Sequence, residues 1–238
     1  MKKLIIAHLY PVEMNIYGDR GNVLALAKRL EWRGLEAEVV NVGLGDKFDL
    51  RKADIIFAGG GQDRGQVAVG QDLLKRRDQL HQAATAGVVM LAVCGTYQLF
   101  GRGFTTLEGQ EIPGVGIFKA QTIGSTTRMI GNLVVESSFG QLVGFENHSG
   151  QTTLDAGQQP LGKVIKGYGN NASDRHEGAI YKNVYGTYLH GSLLPKNPQF
   201  ADHLLLQALQ RKYRIDHLEP LDDTVELQAA QVAATRPQ

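Results

Sequence analysis

The stretch VVMLAVCGTYQL, residues 88–99, indicates the fold class of this 238-residue chain. Its first six residues form an apolar run, which is typical of a parallel strand that helices cover on both faces. A Cys94–Gly95 turn follows, and a helix-like segment begins directly after it. A strand, a tight turn and a helix in this order predict an α/β domain.

The same alternation precedes this stretch, and a different pattern follows it. Upstream we predict a strand at Leu4–Leu9, a helix at Asn22–Arg33, strands at Ala37–Val42 and Asp54–Ala58, and a helix at Val67–Ala86. From about Val115 the strand-like runs are shorter, and we expect antiparallel strands at Thr122–Met129, Leu133–Ser137, Leu142–Glu146 and Lys163–Gly167. A last apolar run at Val184–Leu189 and a helix at Gln199–Tyr213 follow.

Residues 1–218 are predicted to form one domain, and residues 219–238 a C-terminal tail. After Leu218 the periodic pattern fades into acidic residues mixed with Ala and Gln. We expect this tail to be either mobile or a docking segment for a partner.

Composition argues against several classes of protein. The chain has 25 Lys and Arg against 24 Asp and Glu, so its net charge of +1 gives no electrostatic reason to bind nucleic acid or an anionic membrane. It lacks the roughly 20 consecutive apolar residues of a membrane span, and Lys2 and Lys3 introduce no secretory signal. A single cysteine cannot form an intramolecular disulfide, which fits a reducing compartment. We therefore expect a soluble, cytoplasmic protein.

Two loops that follow strands are the predicted location of a site. GGGQDRG begins at Gly59, after the strand Asp54–Ala58, and CGTYQL begins at Cys94. Ligands of parallel sheets bind beyond the carboxyl ends of the strands, where both loops are expected. The glycines could instead form a phosphate-binding loop, but GGGQDRG matches neither GxxxxGKS/T nor GxGxxG. Nucleotide binding is therefore unsupported.

Cys94 is the candidate nucleophile. It follows a strand and precedes a helix, the arrangement of a nucleophile elbow, and Gly95 permits the tight turn. At a helix N-terminus, unpaired N–H groups and the macrodipole favour the thiolate. The alternative is that Cys94 is a small buried apolar residue that ends a strand.

A cysteine hydrolase also needs a base and donors for an oxyanion. His190 follows the strand Val184–Leu189 and precedes a glycine, so we expect it at the same sheet edge. His148 is the one serious rival, and its alternative role is that of a loop histidine that holds local backbone. For the oxyanion, Gly59–Gly61 and Gly95 offer N–H groups without side-chain obstruction.

Five motifs, in this order, resemble those of the class I glutamine amidotransferases of the cobyric acid synthase type: GGGQDRG, AVCGTYQL, RMIGN, GFENHSG and YGTYLHG. The resemblance extends from GDRGN at Gly18 to LLPKNP at Leu193. More narrowly, the chain resembles the glutaminase subunits of lipid II isoglutaminyl synthases. The resemblance implies a three-layer, flavodoxin-like α/β domain with a mainly parallel sheet and antiparallel additions.

The resemblance also implies roles for single residues. Cys94 would attack the side-chain amide of L-glutamine, forming a γ-glutamyl thioester and releasing ammonia, with His190 as the base. Arg128, in RMIGN, would hold the α-carboxylate of glutamine, although a salt bridge at a strand edge is the alternative. Gln98 would contact the substrate, or else lie on a helix surface.

The oxyanion donors and the orienting acid complete the implied site. The resemblance assigns the oxyanion to an N–H of Gly60 or Gly61, and the N–H of Gly95 stays a candidate from its position in the turn. Relatives with a full triad carry Glu two residues after the histidine, whereas this chain carries Ser192 there. We therefore hypothesise that a carboxylate from a partner subunit completes the site, which predicts feeble glutaminase activity of the chain alone.

The ammonia requires an acceptor elsewhere, because the chain has no recognisable ATP-binding motif. The resemblance implies a heterodimer with a MurT-like Mur ligase subunit, which uses ATP to activate the D-glutamate of the lipid II stem peptide. Amidation there yields D-isoglutamine. The chain itself is expected to need no cofactor and no metal, and to reach lipid II through its partner.

Two other functions remain open at this point. A stand-alone cysteine hydrolase of γ-glutamyl or peptide substrates would use the same pair of residues, although a carboxylate clamp at Arg128 favours free glutamine. The chain could also be a non-catalytic regulatory subunit. The joint presence of Cys94, His190 and Arg128 argues against that function, because a scaffold does not need all three.

Overall fold

The computed structural model describes residues 2–61, 63–190 and 192–236. Its strands are β1 (Lys3–Leu9), β2 (Glu36–Val42), β3 (Ile55–Ala58), β4 (Val89–Val93), β5 (Gly103–Thr105), β6 (Glu111–Pro113), β7 (Ala120–Ser137), β8 (Gly140–Leu154), β9 (Gly162–Lys166), β10 (His176–Glu177), β11 (Ala179–Tyr181) and β12 (Val184–Thr187). Its helices are α1 (Arg20–Glu31), α2 (Asp63–Lys75), α3 (Arg77–Thr85), α4 (Gly95–Phe100), α5 (Leu193–Lys196), α6 (Pro198–Tyr213) and α7 (Thr224–Thr235). Gln62 of GGGQDRG, Gly191 of YGTYLHG and the last two residues of the tail lie outside the described residues.

A central sheet has the strand order β11-β12-β4-β3-β1-β2. Its pairs are parallel, except the edge pair of β11 and β12. Every residue of β3 and β4 is buried, as their apolar sequences predicted. Because β3, β4 and β12 are parallel neighbours, the loops that follow them share one edge of the sheet.

The predicted antiparallel strands form a second sheet, ordered β10-β9-β7-β5-β6, with β8 paired to β7. The prediction was wrong in one respect: Thr122–Met129 and Leu133–Ser137 belong to a single strand, β7. An irregularity in the pairing with β8 falls between Gly124 and Met129. Such a bulge absorbs extra residues without ending the strand, which is why the interrupted pattern resembled two strands.

Two further boundaries differ from the prediction. The segment Val67–Ala86 is two helices, α2 and α3, which meet at Arg76, where the backbone has φ −95° and ψ 0°. The Arg76 guanidinium is buried and donates to the carboxylate of Asp72. The strand predicted at Leu142–Glu146 continues as β8, which places His148 in a strand and not in a loop.

Helix α7 lies near the C-terminus, against β7, β8 and α5. The residue before it, Asp223, accepts a hydrogen bond from the buried guanidinium of Arg29, which also donates to Asp202. No residue of α7 is buried. The assignment of residues 219–238 as a mobile or docking tail stays a prediction. In the part of the chain that the structure describes, no helix is both long and apolar enough to cross a bilayer.

Candidate active site

The turn after β4 presents Cys94. Its backbone has φ 52° and ψ −107°, a strained conformation of the kind found at nucleophile elbows. Its N–H donates to the backbone oxygen of Thr187 at 2.8 Å, which joins the turn to the end of β12. The hydroxyl of Thr96 lies 2.8 Å from the backbone oxygen of Ala58 and 2.9 Å from that of Gly59, which joins the turn to the end of β3. Three strand ends thus hold the nucleophile.

His190 lies beside Cys94, just beyond the end of β12. Its backbone exchanges two hydrogen bonds with Phe145 of β8, at 2.6 and 3.2 Å. Its side chain is fully buried, and the ring of Tyr17 meets it edge-on with centroids 4.8 Å apart. A Cβ atom added to Gly60 would lie 2.7 Å from Cε1 of His190 and 3.1 Å from Cβ of Cys94. The predicted nucleophile and base therefore lie close together, and Gly60 packs against both.

Asp19 also reaches this group, although sequence reasoning assigned it no role. It lies in the GDRGN loop before α1 and is fully buried. Its Oδ2 atom accepts a 2.7 Å hydrogen bond from the N–H of Gly60. Its Oδ1 atom lies 3.7 Å from Nδ1 of His190. The one available signal was the GDRGN motif, which supplies an acid but not its contact with a histidine far along the chain.

Ser192 occupies the position that holds Glu in a full triad. Its hydroxyl donates to the backbone oxygen of Gly18 at 2.8 Å. A Cβ atom on Gly21 would come within 2.2 Å of the same hydroxyl oxygen, so the serine is in tight contact with the first turn of α1. Ser192 therefore supports the loop that carries Asp19.

The charges around His190 favour its protonated form. Burial lowers the pKa of the imidazole, whereas the neighbouring Cys94 and Asp19 raise it, and the net pKa is about 10. An imidazolium beside a cysteine sulfur is the form that can return a proton to a leaving amine. Neither ring nitrogen has a hydrogen-bond partner among the described residues.

A cavity of about 400 Å³ opens onto Cys94. Loops and helices that follow strands of the parallel sheet line it together with strands of the second sheet. The lining residues are Ile16, Tyr17, Gly61, Gln66, Cys94, Gln98, Phe104, Arg128, Asn147, His148, Ser149 and Gly150. Arg128 is exposed, and its Nε atom donates to Oδ1 of Asn147 at 2.6 Å. The structure thus places the predicted cationic residue and the predicted nucleophile in one cavity.

Gln98 is buried. Of its two expected positions, the structure therefore excludes the helix surface. It is 4% exposed and lines the cavity. Its amide donates to the hydroxyl of Tyr188, and its Oε1 atom accepts from Gln66, both at 3.2 Å. Sequence reasoning missed Gln66, a buried residue of α2 whose amide also lies 3.4 Å from the backbone oxygen of Gly61.

The candidate oxyanion donors differ in their surroundings. The N–H of Gly60 is engaged by Asp19, whereas Gly61 lines the cavity. A Cβ atom added to Gly61 would lie 2.3 Å from the sulfur of Met14. A Cβ atom added to Gly95 would lie 2.5 Å from Nε2 of Gln66. Neither position has room for a larger residue. The assignment of the oxyanion to these N–H groups stays a prediction.

His148, the rival base, lines the same cavity in different surroundings. Its ring stacks on that of Tyr188 with centroids 3.5 Å apart. Its Nδ1 atom lies 2.8 Å from the backbone oxygen of Gly150, and its Nε2 atom lies 3.8 Å from a carboxylate oxygen of Glu146. These contacts fit the alternative role of His148, which is to hold the local backbone; that backbone belongs to strand β8.

Comparison with known proteins identifies a matching family model and similar sequences. Residues 5–198 match the family model of the CobB/CobQ-like glutamine amidotransferase domain. The chain is 41% identical to the lipid II isoglutaminyl synthase (glutamine-hydrolyzing) subunit GatD of Staphylococcus aureus strain N315, over 99% of this chain and 97% of the relative. It is also 41% identical to the subunit of that name from Streptococcus pneumoniae strain R6, over 90% of this chain and 84% of the relative.

A solved structure extends the comparison to the fold. A crystal structure of a glutamine amidotransferase covers 85% of this chain and 98% of its own length, with a TM-score of 0.57. Its sequence identity is only 13%, so the likeness concerns the fold alone. It confirms the predicted α/β fold class.

Proposed function

The chain belongs to the CobB/CobQ-like glutamine amidotransferase family, and we propose that it is the glutamine-hydrolysing subunit of a lipid II isoglutaminyl synthase. One observation carries the proposal furthest: Cys94 lies beside a buried histidine, His190, and in one cavity with Arg128. The nearly full-length similarity to two subunits of such synthases supports the narrower assignment.

In the proposed reaction, His190 takes the thiol proton of Cys94, and the sulfur attacks the side-chain carbonyl carbon of L-glutamine. The C–N bond breaks, His190 protonates the leaving nitrogen, and ammonia departs from a γ-glutamyl thioester. A water molecule, deprotonated by His190, then attacks the thioester and releases L-glutamate. Glutamine and water thus yield glutamate and ammonia, and the scheme asks no cofactor or metal of this chain.

Arg128 is proposed to bind the α-carboxylate of the substrate. A guanidinium offers paired N–H donors that match the two oxygens of a carboxylate. The contact of Nε with Asn147 would fix the plane of the guanidinium, and the terminal nitrogens would face the ligand. Gln98, which lines the same cavity, offers an amide to the polar atoms of glutamine.

The ammonia is proposed to pass to a MurT-like Mur ligase subunit in a heterodimer. Both relatives are named as subunits of a lipid II isoglutaminyl synthase, which implies a further subunit. That ligase would use ATP to activate the D-glutamate of the lipid II stem peptide. The product would be D-isoglutamine in a precursor of peptidoglycan, made in the cytoplasm.

The test measures glutamate release from L-glutamine by the purified chain, with and without a MurT-like ligase, and compares wild type with Cys94→Ala. We expect release that depends on Cys94 and increases when the ligase is added. Co-purification of Cys94→Ala with the ligase serves as the control for folding. Turnover of γ-glutamyl peptides without any turnover of glutamine would replace the proposal by a stand-alone cysteine hydrolase.

A further inference from the structure

We propose that Asp19 orients His190, so that this chain itself supplies the third member of the catalytic group. The inference rests on the proposed function in one respect, that His190 acts as the base for Cys94. It is an alternative to a carboxylate from a partner subunit. Asp19 would be a positioning residue, because it acts on the substrate only through His190.

Two buried atoms lie close together without partners of their own. Oδ1 of Asp19 and Nδ1 of His190 each lack a hydrogen-bond partner among the described residues, and they are 3.7 Å apart. Leaving a buried polar atom unpaired destabilises the folded chain. A shift of about 1 Å would bring the two atoms to hydrogen-bond distance. Catalytic hydrogen bonds are often long in free enzymes and shorten when the substrate binds.

A hydrogen bond at Nδ1 decides which tautomer of His190 is present. If the carboxylate of Asp19 holds the Nδ1 proton, Nε2 is left to accept the proton of Cys94. The negative charge also stabilises the imidazolium that forms when that proton moves. Both effects are those of the orienting acid in a full triad.

The carboxylate of Asp19 is itself held in place. Its second oxygen accepts the 2.7 Å hydrogen bond from Gly60. The loop around it is closed by a 2.8 Å bond from the Gly21 N–H to the Gly18 oxygen, an oxygen that also accepts from Ser192. The residue two positions after His190 therefore contributes indirectly, because it supports the loop that carries the acid.

Other charged and titratable groups face this pair and stay unchanged in the test below. On the side of Asp19 this is His8, which interacts electrostatically with Asp19 and also with Arg20. On the side of His190 they are Cys94 and the buried Glu177. A substitution at position 19 therefore alters one charge in an otherwise constant environment.

The first readout needs neither glutamine nor a partner: it is the pH dependence of Cys94 alkylation by iodoacetamide. Cys94 is the single cysteine of the chain, so alkylation reports on one thiol. We expect Asp19→Asn to move the alkylation midpoint upward by about one pH unit, because a less stable imidazolium supports less thiolate. Asp155→Asn is the matched control, since Asp155 is a surface residue paired with Arg102, and its midpoint should not move.

The second readout is glutaminase activity in the presence of the ligase. Asp19→Asn should lower kcat by at least about 100-fold with little change in KM, as expected for an orienting acid. Ser192→Ala, which keeps the carboxylate and removes its support, should shift both readouts in the same direction by a smaller amount. This variant keeps the proposal testable if Asp19→Asn does not fold.

An unchanged alkylation midpoint in folded Asp19→Asn would overturn the proposal. Full activity of that variant in the complex would do the same and would return the role to a partner carboxylate. Absence of glutaminase activity in the wild-type chain with its ligase would contradict the proposed function instead, while the alkylation profile would still report on Asp19 and His190.

Discussion

The two sheets contribute to one cavity in different ways. Loops that follow strands of the parallel sheet carry the reacting side chains, Cys94 and His190, and both side chains are buried. The backbone of Cys94 is hydrogen-bonded to Thr187 of β12, and that of His190 to Phe145 of β8. The β7–β8 hairpin contributes Arg128 and Asn147, and Arg128 is exposed within the irregular part of the strand pairing. Bond-making groups need fixed distances, whereas a binding group can adjust to its ligand. Changes on the parallel side should therefore lower kcat, and changes on the hairpin should raise KM.

The largest effect is expected from Gly60→Ala, on the parallel side. The new Cβ atom would lie 2.7 Å from His190 and 3.1 Å from Cys94, so the base and the nucleophile must separate. We expect kcat for glutamine hydrolysis to fall by about 100-fold or more, because displacement of catalytic groups by about 1 Å has effects of that size. KM should change by less than about 3-fold. Steady-state kinetics with the ligase present measures both.

Gly65→Ala is the matched control for this substitution. At Gly65, in α2, the nearest heavy atom to an added Cβ would be a backbone oxygen at 3.6 Å, an ordinary contact. Its kinetics should stay within about 2-fold of wild type. Equal losses in the two variants would mean that an added methyl group anywhere in this region disturbs the site, and the contrast between the two sheets would then be unsupported.

The hairpin side is tested first by Arg128→Ala. A hydrogen bond to a charged group contributes about 1.5–3 kcal/mol, so KM for glutamine should rise about 10- to 100-fold. The rate constant kcat should change far less, because the reacting groups remain in place. Arg51→Ala, an exposed arginine paired with Asp49, is the control. A large loss of kcat at unchanged KM would place Arg128 with the reacting groups and break the comparison.

Asn147→Ala should have a smaller effect of the same kind. Asn147 accepts a 2.6 Å hydrogen bond from Nε of Arg128, and loss of that support should raise KM by about 3- to 10-fold. A double-mutant cycle checks that Asn147 acts through Arg128. In the Arg128→Ala background, Asn147→Ala should cause no further rise in KM, whereas additive effects would show that Asn147 contacts the substrate on its own.

The same division explains how much the sequence could predict. In the parallel half, apolar runs and following loops placed Cys94 and His190 at one sheet edge, because neighbouring parallel strands end together. In the hairpin, alternation of apolar and polar residues cannot tell two strands from one strand with a bulge, so β7 was divided. Arg128 was identified through the motif RMIGN and not through its position in the fold.

Contacts between distant loops were beyond sequence reasoning. Asp19 and His190 meet because two loops from opposite ends of the chain share one sheet edge. Thr96 and Gln66 were also missed, since a threonine two residues after a cysteine and a glutamine in a helix carry no distinctive spacing. Such side chains become recognisable only when their buried hydrogen bonds are known.

The smallest effect on activity is expected at Glu177, where the second sheet supports the parallel one. Its Oε1 atom accepts from the N–H of Tyr188 at 2.6 Å and from the hydroxyl of Thr187 at 3.0 Å, in the segment that leads to His190. Burial raises the pKa of Glu177 to about 8, against the opposing effect of those two donors. The carboxyl is therefore mostly neutral at pH 7, and Glu177→Gln should change kcat by less than about 2-fold.

The effect of Glu177→Gln on stability should depend on pH. Glu177 binds its proton more tightly in the folded chain than in the unfolded chain. The free energy of unfolding of wild type therefore falls as pH rises from the unfolded pKa of 4.5 to the folded pKa of about 8. Gln has no proton to lose, so the stability of the variant relative to wild type should increase across this window, and its melting temperature relative to wild type should rise by about 10 °C between pH 5 and pH 8. Other groups, including His190, titrate in both proteins and cancel in the difference. Glu111→Gln, at an exposed position of β6, should show no such trend. A difference in melting temperature that is constant between pH 5 and pH 8 would mean that Glu177 is ionised in the folded chain, and that a buried carboxylate faces His190 from the second sheet.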